Sequence, residues 1–324
     1  MPNYADPLLN SIATRLADSD PGVRRVAVMD LVDSANDEAA ELLILALGDS
    51  DEAVRMEAAK VIDEFDPRDM MDALVGALTA ADENVRNAAA NALADLKDSG
   101  AAPALLAALT EEDPFVLAAI LRALKQLRLR EARPYALELL RHADATVRRE
   151  AVGVLGYLQE AENLPQLMAV AHGDADPEVR RTAVGTLVYA NACQVRDAVV
   201  AALDDANWRV QVEAIKGAGR LRVTQAIEPL IEAVTDARWE IQEKAAEALG
   251  KLKAARAIAA LGGCLANPIS NVRKAAVAAM GEIGDAAALP FIKQALDDND
   301  PDVRKLARWA RDQLASANVA KMGR

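Results

Sequence analysis

Residues 300–307 read Asp300-Pro301-Asp302-Val303-Arg304-Lys305-Leu306-Ala307, and variants of this stretch recur along almost the whole chain. The valine of the stretch returns every 31 residues, with one interval of 32. The equivalent residues are Val23, Val54, Val85, Val116, Val147, Val179, Val210, Ile241, Val272 and Val303. A constant period of roughly 20–50 residues is typical of a solenoid, in which each repeat buries its apolar face only against its neighbours.

The same stretch predicts where a helix begins. Three residues before the valine stand Asp20, Asp51, Asp82, Asp113, Asp144, Asp176, Asn207 and Asp300. Four of these are followed by proline, as in Asp300-Pro301. An Asp or Asn side chain accepts hydrogen bonds from the free N–H groups of a first helical turn, and proline is tolerated there because its missing N–H would have no partner. We therefore predict a helix start at this point of each repeat.

Small residues on the valine helix predict close helix packing. The residue four positions after the valine lies on the same helix face, and it is alanine in nine repeats and Ile120 in the other. Gly156, Gly219, Gly250 and Gly281 follow near the helix end. A shorter apolar stretch, such as residues 288–296, fills the rest of each repeat. Each repeat is therefore predicted to be a helical hairpin.

The pattern Asp-Pro-x-Val-Arg-x-x-Ala-Ala-x-x-Leu-Gly resembles the HEAT-like repeats first described in phycobilisome lyases, and it covers residues from about 6 to 315. The resemblance implies an all-α, right-handed solenoid of ten hairpins over residues 1–315, with a disordered tail at 316–324. It implies that the valine helices line a concave face. It also implies an interior Asp–Arg ladder formed by the arginine after the valine. These arginines are Arg24, Arg55, Arg86, Arg148, Arg180, Arg273 and Arg304, whereas repeat four has Leu117 at this position.

Composition narrows the class of protein. The net charge of −13 and the pI near 4.8 oppose non-specific binding to nucleic acid and to anionic membranes. No uncharged apolar run reaches the roughly 18 residues of a membrane span, and residues 1–6 do not resemble a secretory signal. Cys193 and Cys264 fall in different phases of the repeat, so two free, buried thiols are expected. We expect a soluble, cytoplasmic, monomeric protein without a cofactor.

One set of positions is not dictated by the scaffold. Counted from the valine, positions −2, −1, +2, +3, +6 and +10 lie away from the core, and the resemblance implies that they vary freely; we call them the variable face. They make up 60 of 324 residues but hold six of the ten aromatic residues. Those six are Phe115, Tyr157, Tyr189, Trp208, Trp239 and Trp309. Aromatic side chains are enriched at binding hot spots, so this enrichment predicts a partner-binding surface.

Charge on the variable face also changes along the chain. In repeats four to eight, eight basic residues stand beside six acidic ones. The basic residues are Arg122, Arg149, Arg181, Arg209, Lys216, Arg220, Lys244 and Lys251. We therefore predict that repeats four to eight form a groove for a partner with apolar anchors and some negative charge.

Motifs for catalysis are not found. The only histidines, His142 and His172, have no carboxylate or cysteine at ligand spacing, and no phosphate-binding loop or nucleophile motif is present. Groove residues can still converge in space without a local motif. The leading hypothesis is a non-enzymatic scaffold, adaptor or assembly factor that binds another protein. The alternatives are a tetrapyrrole carrier similar to the phycobilin lyases, using Arg122, Arg149 and Arg181, and a HEAT-type DNA glycosylase, which needs a more positive face.

Overall fold

The computed structural model describes residues 4–34, 37–65, 67–95, 102–110 and 112–322. Within these ranges the regular structure is entirely helical, with twenty α-helices and short 3₁₀ segments. The chain forms two compact units, Met1–Leu158 and Gln159–Arg324. Each unit contains five helical hairpins, so the predicted all-α class and the predicted hairpin repeat are confirmed.

In both units the odd-numbered helix of each hairpin packs against the even-numbered helix that follows it. The helices of the first unit are α1 Pro7–Leu16, α2 Pro21–Asp30, α3 Asp37–Leu47, α4 Glu52–Val61, α5 Pro67–Ala77, α6 Glu83–Asp95, α7 Ala102–Ala107, α8 Pro114–Leu127, α9 Arg133–Leu139 and α10 Ala145–Leu158. Among the even-numbered helices of this unit, α2 lies against α4, and α8 lies against both α6 and α10.

The second unit repeats this arrangement. Its helices are α11 Leu164–Gly173, α12 Pro177–Leu187, α13 Ala192–Ala201, α14 Trp208–Leu221, α15 Ile227–Ala233, α16 Trp239–Lys251, α17 Ile258–Gly263, α18 Ser270–Ile283, α19 Leu289–Ala295 and α20 Pro301–Met322. Helices α12, α14, α16, α18 and α20 lie side by side in an unbroken series.

The predicted helix starts are confirmed by their hydrogen bonds. At α12 the carboxylate of Asp176 accepts the backbone N–H groups of Glu178 and Val179, at 2.8 and 3.2 Å. All eight predicted Asp or Asn caps bond to a backbone N–H two residues later in this way. Each such cap stabilises a helix by about 1 kcal/mol. Arg238 and Ile269, which hold the same position before α16 and α18, make no side-chain cap.

The core follows the two predicted columns. The residue four positions after the valine is completely buried in all ten repeats. The valine or isoleucine itself is buried in nine repeats, and Val23 in the first hairpin is half-buried. Because the second column is almost all alanine, neighbouring even-numbered helices can approach closely.

Glycine extends this close approach to the helix ends. A Cβ atom on Gly250 of α16 would lie 2.9 Å from the Cα atom of Ala279 on α18. A Cβ atom on Gly219 of α14 would lie 3.1 Å from the Cα atom of Ala248 on α16. Any side chain at Gly250 would therefore push the backbones of two helices apart.

The predicted arginine ladder is also present. All seven arginines donate from one guanidinium N–H group to the backbone carbonyls five and six residues earlier. Three of them also form paired hydrogen bonds with an aspartate 25 residues later: Arg24 with Asp49, Arg180 with Asp205, and Arg273 with Asp298. The ladder therefore ties the first turn of one even-numbered helix to the loop before the next.

The arginine is replaced in three repeats, by Leu117, Gln211 and Gln242, and in two of these the opposite position does not hold an aspartate. Gln242 takes the arginine position in α16, and its amide oxygen accepts from the amide of Asn267 at 2.6 Å. Leu117 takes the arginine position in α8, and the opposite residue is His142, whose Nδ1 accepts the backbone N–H of Asp144 at 3.0 Å. In α14, Gln211 takes the arginine position and the opposite Asp236 is kept, but Arg238 donates to its carboxylate at 2.8 and 2.9 Å and to the amide oxygen of Gln211 at 3.4 Å. No aspartate at these three positions is therefore left unpaired.

Helix α20 spans Pro301–Met322, and no proline or glycine interrupts residues 302–322, while residues 323–324 lie outside the described part. The disordered tail expected at 316–324 stays a prediction. The two cysteines differ from each other in exposure. Cys264 is buried as expected. The expectation that Cys193 is buried is wrong, because this residue lies in the first turn of α13 on the side that faces solvent. Among the described helices, none has both the length and the apolar character of a membrane span.

Candidate functional site

The thirteen residues predicted to bind a partner all lie at the surface. Phe115, Tyr157, Tyr189 and Trp239 are exposed, and the last two have 58% and 38% of their surface accessible. Trp208 is half-buried, and the eight basic residues are half-buried or exposed. None of them belongs to the core, so the scaffold does not need these side chains for packing.

In the first unit, Lys125 links two residues of the variable face. Its Nζ lies 3.0 Å from the Oε2 atom of buried Glu150 and 5.9 Å from the ring centroid of Tyr157. Arg149 also contacts Glu150, at 3.4 Å. The structure therefore brings together Arg149 and Tyr157, while Phe115 lies under the guanidinium of Arg86, at 6.0 Å.

In the second unit, Glu178 forms ion pairs with two of the predicted arginines. Its carboxylate lies 2.7 Å from Arg181 on its own helix and 3.7 Å from Arg209 on α14. Arg209 in turn lies 5.5 Å from the ring centroid of Trp208. Trp208 and Trp239 are the first residues of α14 and α16, so they occupy equivalent places on adjacent helices.

These ion pairs bear on the tetrapyrrole alternative. A carrier of that kind needs free cations for the carboxylates of its ligand, and Arg149 and Arg181 are already paired with glutamates. Arg122 has no carboxylate partner within the described ranges and is half-buried on α8. Only one of the three arginines is therefore available without breaking an internal contact.

A cavity of about 800 Å³ lies at the carboxyl ends of α14, α16 and α18. Its lining includes four of the predicted basic residues, Lys216, Arg220, Lys244 and Lys251. It also includes Trp309, which α20 contributes. The cavity is open to solvent, and we call it the basic cavity.

Two further cations of the basic cavity, Arg222 and Lys253, are not among the predicted site residues. Both follow a helix end and have left-handed backbone, with φ of 55° and 51°. The left-handed region costs a residue with a side chain about 1–2 kcal/mol. The equivalent residue after α18 is Gly284, with φ of 71°. Position +12 of the repeat, where this glycine stands, is the signal by which the two residues could have been found.

The cations of the basic cavity differ in how they are paired. Lys244 lies 2.7 Å from Glu247, and Lys216 lies 3.5 Å from Glu213. Burial disfavours the charged form of Lys244, but the carboxylates of Glu247 and Glu243 outweigh this effect and raise its pKa. Arg220, Arg222, Lys251 and Lys253 have no carboxylate partner in the part of the chain that the structure describes. Arg220 instead lies over the ring of Tyr189, at 4.5 Å.

Among the described residues, no group of three His, Cys, Asp or Glu side chains is arranged to hold a metal ion. The thiol of Cys264 bonds to the carbonyl oxygens of Val234 and Ala260, and burial raises its pKa.

The sequence profile of the HEAT repeats family matches residues 8–82, 41–125, 71–146, 133–196, 196–269 and 227–311. The chain belongs to the HEAT repeat family. The match is to HEAT repeats in general, which is broader than the phycobilisome-lyase group that the repeat motif resembles. None of the curated proteins compared with this HEAT repeat chain matches it.

Several solved structures share the fold of this HEAT repeat protein. An engineered protein is 22% identical with a TM-score of 0.50, and the match covers 96% of this chain and 99% of that one. Kap95p in a structure with RanGDP is 15% identical with a TM-score of 0.60, covering 96% of this chain and 52% of Kap95p. Kap95 in a complex with Nup1 is 16% identical with a TM-score of 0.59, covering 96% and 51%. The chain thus spans about half the length of Kap95p, and at these identities the likeness concerns the fold alone.

Proposed function

We propose that this HEAT repeat protein is a non-enzymatic scaffold that binds another protein through its variable face. In the second unit the contacting helices are α12, α14 and α16. The observation that carries the proposal is the exposure of Tyr189 and Trp239 at positions where the repeat requires no aromatic residue. Large aromatic side chains that the core does not use mark interaction surfaces.

The chemistry around these residues suits a protein partner. Trp208 and Trp239 begin adjacent helices, whose axes lie about 8–10 Å apart, so they offer two neighbouring apolar anchor points. On the α12 side of Trp208, Arg209 and Glu178 form a polar rim of mixed charge. In the first unit, the same face of α8 and α10 offers Phe115 and Tyr157 beside basic residues.

Proteins that share this fold support this type of function. The structures of Kap95p contain RanGDP in one case and Nup1 in the other. An array of repeats presents a long surface built from many similar helices, which is why repeat proteins are suited to binding extended partners.

The test is capture of partners from an extract of the native source. We expect the double variant Trp208→Ala/Trp239→Ala to lose proteins that the wild type retains, because both anchor points are removed. The matched control is Tyr135→Ala/Arg196→Ala, which truncates two exposed side chains on the odd-numbered helices α9 and α13. Thermal unfolding of each variant verifies that the fold is intact. Retention of the same proteins by the tryptophan variant would contradict the proposal.

A further inference from the structure

Four unpaired cations in the basic cavity are arranged as two pairs. Arg220 and Arg222 stand at the end of α14, and Lys251 and Lys253 stand at the equivalent end of α16. In each pair the second residue holds left-handed backbone that glycine adopts more readily. A helix end needs no cation there, since Gly284 serves the same turn after α18. Arg128 and Gln159 hold the same left-handed turn after α8 and α10, so what distinguishes the basic cavity is the pairing of two cations at positions +10 and +12 and not the backbone conformation.

The spacing of the two pairs follows from helix packing. Helices α14 and α16 lie side by side, and packed helices are about 8–10 Å apart. An extended peptide advances about 3.3 Å per residue, so three residues span one helix spacing. Side chains at every third position of an extended peptide would therefore meet successive helices.

Next to the two cation pairs, the basic cavity is lined by the aromatic ring of Trp309 from α20. Trp309 is 40% exposed, and its ring reaches back over α18, where a Cβ atom on Gly281 would lie 2.5 Å from the Cζ3 atom of the tryptophan. At α18 the residue equivalent to Arg220 and Lys251 is Glu282, so the cations end at α16. Along the cavity, two cation pairs are thus followed by an apolar ring.

We propose that the basic cavity binds an extended acidic segment of the partner protein with the pattern acidic-x-x-acidic-x-x-apolar. One carboxylate contacts the Arg220 and Arg222 pair, the second contacts the Lys251 and Lys253 pair, and the apolar residue packs on Trp309. This inference rests on the proposed function, because it names the chemistry of the partner segment.

Charge distribution favours a short acidic segment over a nucleic acid. Residues 1–100 contain 21 acidic and 8 basic residues, whereas residues 101–324 contain 29 of each. A long polyanion is repelled by an acidic protein, while a short segment senses only charges within about 8 Å at physiological salt. Glu247 and Glu282 also line the basic cavity and would face a continuous row of phosphates.

The test is fluorescence anisotropy with labelled heptapeptides and the full chain. The probes are Asp-Ser-Ser-Asp-Ser-Ser-Leu and its reverse, because an extended segment can run in either direction. The control peptide has the same composition with its two Asp residues adjacent. We expect one of the two probes to bind about tenfold more tightly than the control, since charge-assisted hydrogen bonds require both carboxylates to be in register.

Variants at the left-handed positions separate binding from folding. Glycine fits the backbone of Arg222 and Lys253, so Arg222→Gly/Lys253→Gly should unfold at the same or a higher temperature than the wild type. We expect it to bind the probe about tenfold more weakly. Arg128→Gly is the matched control, because it removes a cation from the same left-handed position in the first unit and should leave affinity unchanged.

Several outcomes would overturn the inference. They are equal binding of probes and control peptide, unchanged affinity of the double glycine variant, and binding of a ten-nucleotide oligothymidylate in place of the peptides. Sedimentation of the chain alone tests whether a second copy fills the basic cavity; self-association that the double glycine variant abolishes would also contradict it. Failure of the proposed function is recognised separately, by Trp208→Ala/Trp239→Ala, which leaves the lining of the basic cavity intact.

Discussion

The guanidinium of Arg180 on α12 holds the carboxylate of Asp205 through hydrogen bonds of 2.7 and 2.8 Å. A further N–H group of the same guanidinium donates to the carbonyl of Asp174, at 2.7 Å. Asp205 also accepts the backbone N–H of Asn207, the cap of α14, at 2.8 Å. One aspartate therefore connects the first turn of α12 to the start of α14 and helps to set the spacing of neighbouring hairpins.

This connection predicts a pH-dependent stability. The hydrogen bonds from Arg180 are the main cause that lowers the pKa of Asp205 from its ordinary value of 3.8, against the opposing effect of burial. Because the pKa is lower in the folded state, the contribution is present above pH 3.8 and is lost as the pH falls through the folded value. We expect Asp205→Asn to lower the free energy of unfolding by about 1.5–3 kcal/mol at pH 7 and by progressively less below pH 4.

Urea unfolding at pH 7, 4 and 3 checks this prediction. Asp204→Asn is the control, since it neutralises an exposed aspartate one residue earlier. A deficit of Asp205→Asn that stays constant from pH 7 to pH 3 would show that the ionised carboxylate is not what stabilises the loop.

Close helix packing at Gly250 predicts opposite effects of two glycine-to-alanine changes. Gly250→Ala places a methyl group 2.9 Å from the backbone of Ala279, so we expect it to destabilise the protein by about 1–3 kcal/mol. Gly263→Ala meets no atom within 4 Å in helical backbone, so it should stabilise by about 0.4–1 kcal/mol. Thermal unfolding of the two variants gives the comparison. A stabilised Gly250→Ala protein would mean that α16 and α18 are not in close contact.

The two cysteines should differ in reactivity. Cys193 is exposed, whereas Cys264 is buried, its thiol bonds to two carbonyl oxygens, and its pKa is raised by burial. Thiolate is the reactive form, so we expect an aromatic disulfide reagent to modify one thiol rapidly in the native protein and the second only after unfolding. Cys193→Ser should abolish the fast phase. Two fast phases in the wild type would contradict the burial of Cys264.

The tetrapyrrole alternative gives a prediction of its own. Arg149 and Arg181 are already paired with Glu150 and Glu178, so the cost of breaking these pairs opposes binding of a dianionic tetrapyrrole. We expect titration with haem or a bilin to leave the visible absorption band of the pigment unchanged. A shifted band that Arg122→Ala abolishes would favour the alternative instead.

The sequence predicts the features that recur in every repeat, because the role of each recurring residue depends only on its own helix or on the neighbouring helix. The cap at Asp176 needs only the free N–H groups of its own helix, and Ala183 needs only a neighbouring helix at a fixed spacing. The pairing of Arg180 with Asp205 is harder to predict, since the two residues are 25 positions apart and meet only when two hairpins pack.

Other features could not be read from the periodic columns. Arg222 and Lys253 lie just past a helix end, where backbone conformation and not helical periodicity decides the direction of the side chain. Exposure of Cys193 depends on where α13 begins, and the repeat pattern fixes the start of the even-numbered helices better than that of the odd-numbered ones. The aromatic and basic residues of the variable face lie at the surface because packing does not constrain them, whereas Glu150, Ala118 and Ala119 on the same set of positions are buried, which the repeat pattern does not predict.

The central claim is that a partner protein contacts the variable face of the even-numbered helices. Site-specific photocrosslinking in the native source tests it most directly, with benzoylphenylalanine in place of Trp239 on α16 or, as the control, in place of Arg196 on α13. Both residues are exposed. We expect discrete protein adducts from position 239 and none from position 196. Adducts from position 196 alone, or from neither position, would contradict the account.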